Sequence, residues 1–247
     1  MRESDLSDAR PEPGDGASAA EKFSSAVFRT EQHVFDLHSA GKFSASYLRY
    51  PVIYGPRQLA GKEWSIVRRI RDGRTRIIVP DGGLAIVTRS YAANAAHSVL
   101  LAVDNPAASA GQVYNVGDDR QFTLRQWIEV IASEFGVQVQ LTSMPDRVAW
   151  PARPLFPLGR ESAHSHIDTS TIVADLGYRD LVPAESALRR TARWYWEHGD
   201  LADDQAGSED AFDYDAEDQL LEFFDGFMHE YENSYARAVP PSVHPYP

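Results

Sequence analysis

Between Ser18 and Gly199 the sequence alternates short β-branched runs with amphipathic stretches of about 10 to 20 residues, most of them closed by glycine. A chain patterned this way must bury apolar strands beneath amphipathic helices, which predicts an α/β fold with parallel pairing wherever a helix intervenes. Ser18 and Glu21 have capping-box spacing and open a helix from about Ala19 to His38, stopped by Gly41. Phe23, Ala26, Val27 and Val34 share a face of that helix, and the pattern requires the face to be buried. A strand follows over 45–53, then the turn Gly55-Pro56-Arg57. The next helix, 62–72, sets Trp64, Val67 and Ile70 on one side and Arg68, Arg69 and Arg71 largely on the other. Further strands are expected over 76–80, 112–119 and 137–141. Helices are expected from about Asn94 to Val103, from Thr123 with Gln126 to Phe135, in a short piece ending at Leu176, and from Pro183 to His198.

Charge divides the chain in two. Residues 200–247 hold 13 Asp or Glu against one basic residue, Arg237, whereas the 23 acids and 23 Lys or Arg of residues 1–199 cancel, so the net charge of -12 belongs to the tail. The expected domains are therefore a neutral body, 1–199, and an acidic tail, 200–247. A neutral body with an acidic tail lacks the basic footprint of a nucleic-acid-binding protein. Within the tail, Leu220, Phe223, Phe224, Phe227, Met228, Tyr231 and Tyr235 recur at helical spacing, an apolar stripe expected to dock on the body. The chain has no cysteine, which removes disulfides and thiolate zinc sites. No run of about 18 apolar residues exists and the N-terminus is polar and acidic, so neither a membrane partner nor a signal peptide is expected, and the setting is read as cytoplasmic.

Four phrases in order resemble the second half of an extended short-chain dehydrogenase/reductase of the NAD-dependent epimerase/dehydratase family. LRYPVIYGPR (48–57) resembles the strand and turn after the family's catalytic helix, and TRSYAANAAHSVLLAV (88–103) its domain junction. GQVYNVGDDRQFTLRQW (111–127) resembles its last sheet strand and following helix, and DTSTIVADLGYRDLVPAESALRRTARWYWEH (168–198) its closing helices. The resemblance implies the second half of a Rossmann-like fold with the small C-terminal substrate domain, to which this chain adds an acidic tail helix.

By the same resemblance the helix before RYPVIYGPR should carry Tyr-x-x-x-Lys, with a glutamate four residues after the lysine. Glu31 fits that glutamate, which puts Phe23 at the tyrosine position and Val27 at the lysine position. Tyrosine transfers the proton and lysine, one turn along, lowers its pKa and holds the ribose. Phenylalanine has no exchangeable proton and valine neither charge nor reach, so catalytic residues stay unassigned. The family's Gly-x-x-Gly-x-x-Gly turn, which holds the cofactor pyrophosphate, finds no match either. Met1 is accordingly expected to be an internal methionine of a longer frame or the start of a shortened gene.

The resemblance implies NAD or NADP, with doubtful binding by this chain. It places Tyr50, Pro51, Val52 and Ile53 along the nicotinamide side and Arg57 and Arg89 toward a substrate phosphate or sugar, where a planar guanidinium suits phosphate oxygens. It implies a small-molecule substrate, such as a sugar or nucleotide sugar, and allows a homodimer. The functional expectation is an atypical epimerase/dehydratase-like oxidoreductase, impaired or inactive as this chain; the alternative is a non-catalytic ligand-binding or protein-interaction module. Of the remaining candidates, the run Arg68, Arg69, Arg71, Arg74 and Arg76 reads as a solvated helix side, and His164 and His166 as loop residues. His33, Asp36 and His38 splay around their helix, His97 reads as surface, and Tyr91 and Trp127 as core or cleft wall.

Overall fold

The computed structural model describes residues 16–58, 62–151, 163–199 and 212–235. The Pro-, Gly-, Asp- and Ser-rich stretch 1–17, which reads as a surface loop, and the proline-rich crossing 145–157 lie partly outside these. The described residues form a mixed α/β fold with three parallel strand pairs. In chain order the elements are α1 (Ala19–Ser39), β1 (Tyr47–Arg49), β2 (Val52–Tyr54), α2 (Lys62–Arg71), β3 (Arg76–Pro80), β4 (Arg89–Tyr91), α3 (Ala92–Asp104) and α4 (Pro106–Ser109). They continue as β5 (Val113–Asn115), α5 (Leu124–Glu134), β6 (Gln140–Met144), α6 (Ser170–Leu176), α7 (Ala184–Glu197) and α8 (Tyr214–Ser234).

The strand expected over 45–53 is two strands. Pro51 has no N–H to give a ladder, so the chain changes partner around Tyr50-Pro51. Before the break β1 pairs with β5, Leu48 opposite Tyr114; after it β2 pairs with β4, Val52 opposite Arg89 and Tyr54 opposite Tyr91. β6 starts three residues later than expected. Val137 N–H still bonds Ala132 O at the exit of α5, and pairing with β3 begins only where Gln140 N–H reaches Thr75 O at 2.7 Å. The capping boxes at Ser18/Glu21 and Thr123/Gln126 form as their spacing requires.

The main core joins Ile66, Val67 and Ile70 of α2, Ile77 to Val79 of β3, Trp127, Ile128 and Ile131 of α5, and Leu188 and Tyr195 of α7. A second cluster gathers Tyr114, Val116, Ile172, Leu176 and Tyr178 beside β1 and β5.

Two expectations about faces are corrected. On α1, Phe23 is 71% exposed and Val27 41%, while Ser25 and Glu31 are buried. The helix is held by its C-terminal half: Arg49 Nε donates to Glu31 Oε2 at 2.9 Å, Ala45 N–H donates to His38 Nδ1 at 3.2 Å, and Phe35 lies 6.4 Å from Tyr47. On α8, the docked face consists of Glu217 and Leu221, with Leu220 and Phe224 partly buried. Phe223, Phe227, Tyr231 and Tyr235 face outward. Charge selects this orientation, because the basic run expected to be solvated receives the tail's acids. Arg69 Nε donates to Glu217 Oε1 at 3.1 Å, Arg74 Nη1 to Asp218 Oδ2 at 2.9 Å, and Arg76 to both oxygens of Asp225 at 2.6 Å. Arg69, assigned by periodicity to the outer side of α2, is fully buried.

Candidate functional site

In parallel α/β sheets ligands collect beyond the carboxyl ends of the strands. β2 and β4 run in register, so their carboxyl ends, Tyr54 and Tyr91, share one edge; β2 leads there into Gly55-Pro56-Arg57 and β4 directly into α3. Gly55 has φ +150°, and a Cβ on it would meet Ala92 Cβ at 3.3 Å and the Tyr91 ring at 3.4 Å. Arg57 is exposed with φ +65°, a left-handed conformation that costs a non-glycine residue roughly 1 kcal/mol or more.

Beneath this edge lies a buried polar group. Glu63 sits in the first turn of α2 and Arg89 opens β4, both removed from solvent. The Arg89 guanidinium lies over the Trp127 ring, 3.9 Å from its centroid. Burial raises the Glu63 carboxyl above its ordinary range, opposed chiefly by Arg89; burial lowers Arg89, opposed by Glu63 and Tyr54. Lys62 is also lowered by burial and held up by Glu63. Four buried polar atoms have no hydrogen-bond partner among the described residues: Gln58 Oε1, Glu63 Oε2, Ser90 Oγ and Trp127 Nε1. Such atoms carry the full desolvation cost of an unmade bond, about 1–3 kcal/mol each. Ser90 follows Arg89 on β4, and the Gln58 carbonyl accepts from Tyr195 Oη at 3.2 Å.

Asp118 ties the neighbouring elements together. It accepts from Tyr54 Oη at 2.8 Å, Tyr91 N–H at 2.9 Å and Asn94 Nδ2 at 3.0 Å. Asn94, in the first turn of α3, also bonds Val182 through both ends of its amide. Burial, then the Asp118 charge, push nearby Asp180 up to about 7.

The expected site residues divide accordingly. Val52 and Arg89 are brought side by side, and Arg57 stands three residues beyond β2. Tyr50 is half-buried with its hydroxyl committed to Ser98 Oγ at 2.9 Å and Ala95 O at 3.2 Å; Pro51 is half-buried and Ile53 exposed. The Tyr50 hydroxyl is already engaged, and Phe23 and Val27, at the positions the resemblance gives to tyrosine and lysine, offer no donor. His164 accepts from Ile86 N–H at 3.1 Å, and His166 Nδ1 lies 3.5 Å from Thr88 Oγ1. No group of three metal-ligating side chains occurs among the described residues, and no helix among them is long and apolar enough to cross a membrane. Sequence reasoning missed Glu63 and Asp118. Glu63 was not singled out, and Asp118 fell at the end of the strand expected over 112–119; only the placing of neighbouring Trp64 on the apolar side of its helix hinted that the α2 N-terminus goes inside.

The model of the NAD dependent epimerase/dehydratase family matches residues 11–117. An uncharacterized Escherichia coli protein, YbjS, is 28% identical over 143 residues, 51% of this chain and 42% of that protein. Among solved structures, a UDP-glucose 4-epimerase from Thermotoga maritima with UDP-glucose is similar with TM-score 0.55 and 20% identity, over 72% of this chain and 52% of that one. A dTDP-glucose 4,6-dehydratase from Bacillus anthracis in complex with NAD is similar with TM-score 0.54 and 14% identity, over 81% and 59%. The chain thus spans about half the length of the proteins it matches. The sequence match runs from the N-terminal side of α1 through β5, and the fold is similar to that of these enzymes.

Proposed function

We propose that this chain is the substrate-side portion of an atypical NAD(P)-dependent epimerase/dehydratase-like oxidoreductase. Its own residues hold a small molecule, a sugar or sugar nucleotide, at the carboxyl edge of β2 and β4, in a cytoplasmic setting. The observation that carries this reading is Arg57: a strained, left-handed, exposed arginine stands just past β2, where a glycine would relieve the strain. Its fork is suited to phosphate oxygens of a bound nucleotide, while Glu63, Arg89 and Trp127 lie buried near Tyr54. Proton transfer of the Tyr-x-x-x-Lys kind is lost with Phe23 and Val27. Titration of the chain with UDP-glucose and dTDP-glucose by calorimetry tests the site. Binding that weakens about tenfold or more in Arg57→Ala supports it; binding indifferent to Arg57→Ala, or none, removes it.

A second reading, a non-catalytic member that binds without turnover, is favoured by the outward-facing Phe23 and Val27. A ligand that binds yet gives no NAD-linked absorbance change selects this reading; a steady rate selects the first.

A further inference from the structure

We infer that the outward face of α8 is a docking surface for a basic amphipathic helix of another protein, an inference independent of any cofactor or substrate. Phe223, Phe227, Tyr231 and Tyr235 follow one another at one-turn spacing along this face. Consecutive rings from Phe227 to Tyr235 stack with centroids 6.5 and 6.3 Å apart. Phe223 is 74% exposed and Tyr235 70%, with Phe227 and Tyr231 also exposed. Contiguous aromatic surface of this kind, rimmed by charge, marks an interaction site. Gly226 leaves a hollow beside the rings, lined by Gln219, Glu222, Phe223, Phe227 and Glu230.

Charge identifies the occupant. The tail carries the whole net charge of -12. A second copy of α8 would bring like carboxylates together, and an anionic membrane or a nucleic acid would be repelled. A helix with an aliphatic stripe and flanking Lys or Arg would fill the hollow and place its cations on Glu222, Glu230 and the ring faces. The molecule already contains one such pairing. α2 is itself a basic amphipathic helix, and it is held against the tail in this way: Arg68 lies 4.2 Å from the Phe212 ring centroid and Arg69 pairs with Glu217. Just beyond α2, Arg74 lies 4.6 Å from the Tyr214 ring centroid and pairs with Asp218. The outer face of α8 repeats that combination of rings and carboxylates.

The test is calorimetric titration of the full chain with an amphipathic Leu/Lys helix of about four turns and with the same peptide carrying Glu for Lys. The Leu/Lys peptide is expected to bind, about tenfold more weakly to Phe223→Ala/Phe227→Ala and to Glu222→Lys/Glu230→Lys, and the Leu/Glu peptide not at all. Both variants alter exposed side chains only, and an unchanged thermal midpoint verifies their fold. Absence of binding overturns the inference. Equal binding to Phe223→Ala/Phe227→Ala overturns it too, because attraction to the tail's charge alone would then suffice. Self-association of the wild type that disappears in the same variant would assign the face to a second copy and overturn it as well.

Discussion

Arg69 with Glu217, and Arg89 with Glu63, are both arginine–glutamate neighbourhoods taken out of water, but only the first completes its hydrogen bonds. Arg69 donates to Glu217 through Nε and Nη2 and to the Ser65 carbonyl through Nη1 at 2.8 Å, while Glu217 also faces Arg74 at 3.5 Å. Around Arg89, the cation spends one face on the Trp127 ring, and Glu63 Oε2, Ser90 Oγ and Trp127 Nε1 stay unpartnered among the described residues. A buried pair that satisfies itself is a fastening; one that leaves donors and acceptors over keeps capacity for something else. The first fastens the acidic tail to the body. The second lies under the strand edge where the proposed small molecule binds.

The contrast can be broken at its strongest point first. Glu217→Ala should leave the Arg69 cation buried without its counter-charge and cost roughly 3–5 kcal/mol in urea unfolding. Replacing both partners with apolar residues, Arg69→Met with Glu217→Leu, should recover most of that loss. Glu63→Gln should cost much less, about 1 kcal/mol or below, because the carboxylate it removes was poorly satisfied and costly to desolvate. A loss as large as that of Glu217→Ala would erase the distinction.

The Asp118 network beside the second neighbourhood adds a pH signature. The Asp180 pKa, raised to about 7, means that the folded state binds this proton more tightly than the unfolded chain does. The stabilisation is therefore full below about pH 4 and is lost as pH rises through 7. Solvent screening of this half-exposed group limits the effect to about 1 kcal/mol, and Asp180→Asn should flatten that part of the stability profile. The smallest effect is expected at the rim of the tail interface, where Arg76→Ala, which removes an exposed pair with Asp225, should leave the unfolding midpoint unchanged within error.

Helix ends were legible in the sequence because capping is local. Ser18/Glu21, Thr123/Gln126 and Gly177 each act within one turn. Strand limits were not, since Pro51 changes β-partner in mid-run and β4 is three residues long, too short to show a period. Periodicity named the amphipathic helix of the tail but not its docked face. Hydrophobicity favoured Phe223 and Phe227, whereas the arginines of α2 and β3, far away in sequence, drew in Glu217, Asp218 and Asp225. Of the candidate site, Arg57 and Arg89 were named only through phrases that resemble the family's. Glu63 and Asp118 owe their character to burial by distant elements, Arg89 and Trp127 for one and Tyr54 and Asn94 for the other, and no local motif records that.

The proposed loss of cofactor chemistry rests most directly on α1, where Phe23 and Val27 are proposed to stand in the places of a phenol and an ammonium. Titration of the 247-residue chain with NADH and NADPH, followed by nicotinamide fluorescence, tests it. No saturable binding at micromolar concentrations is the expected result. Tight, saturable binding of either nucleotide would contradict it.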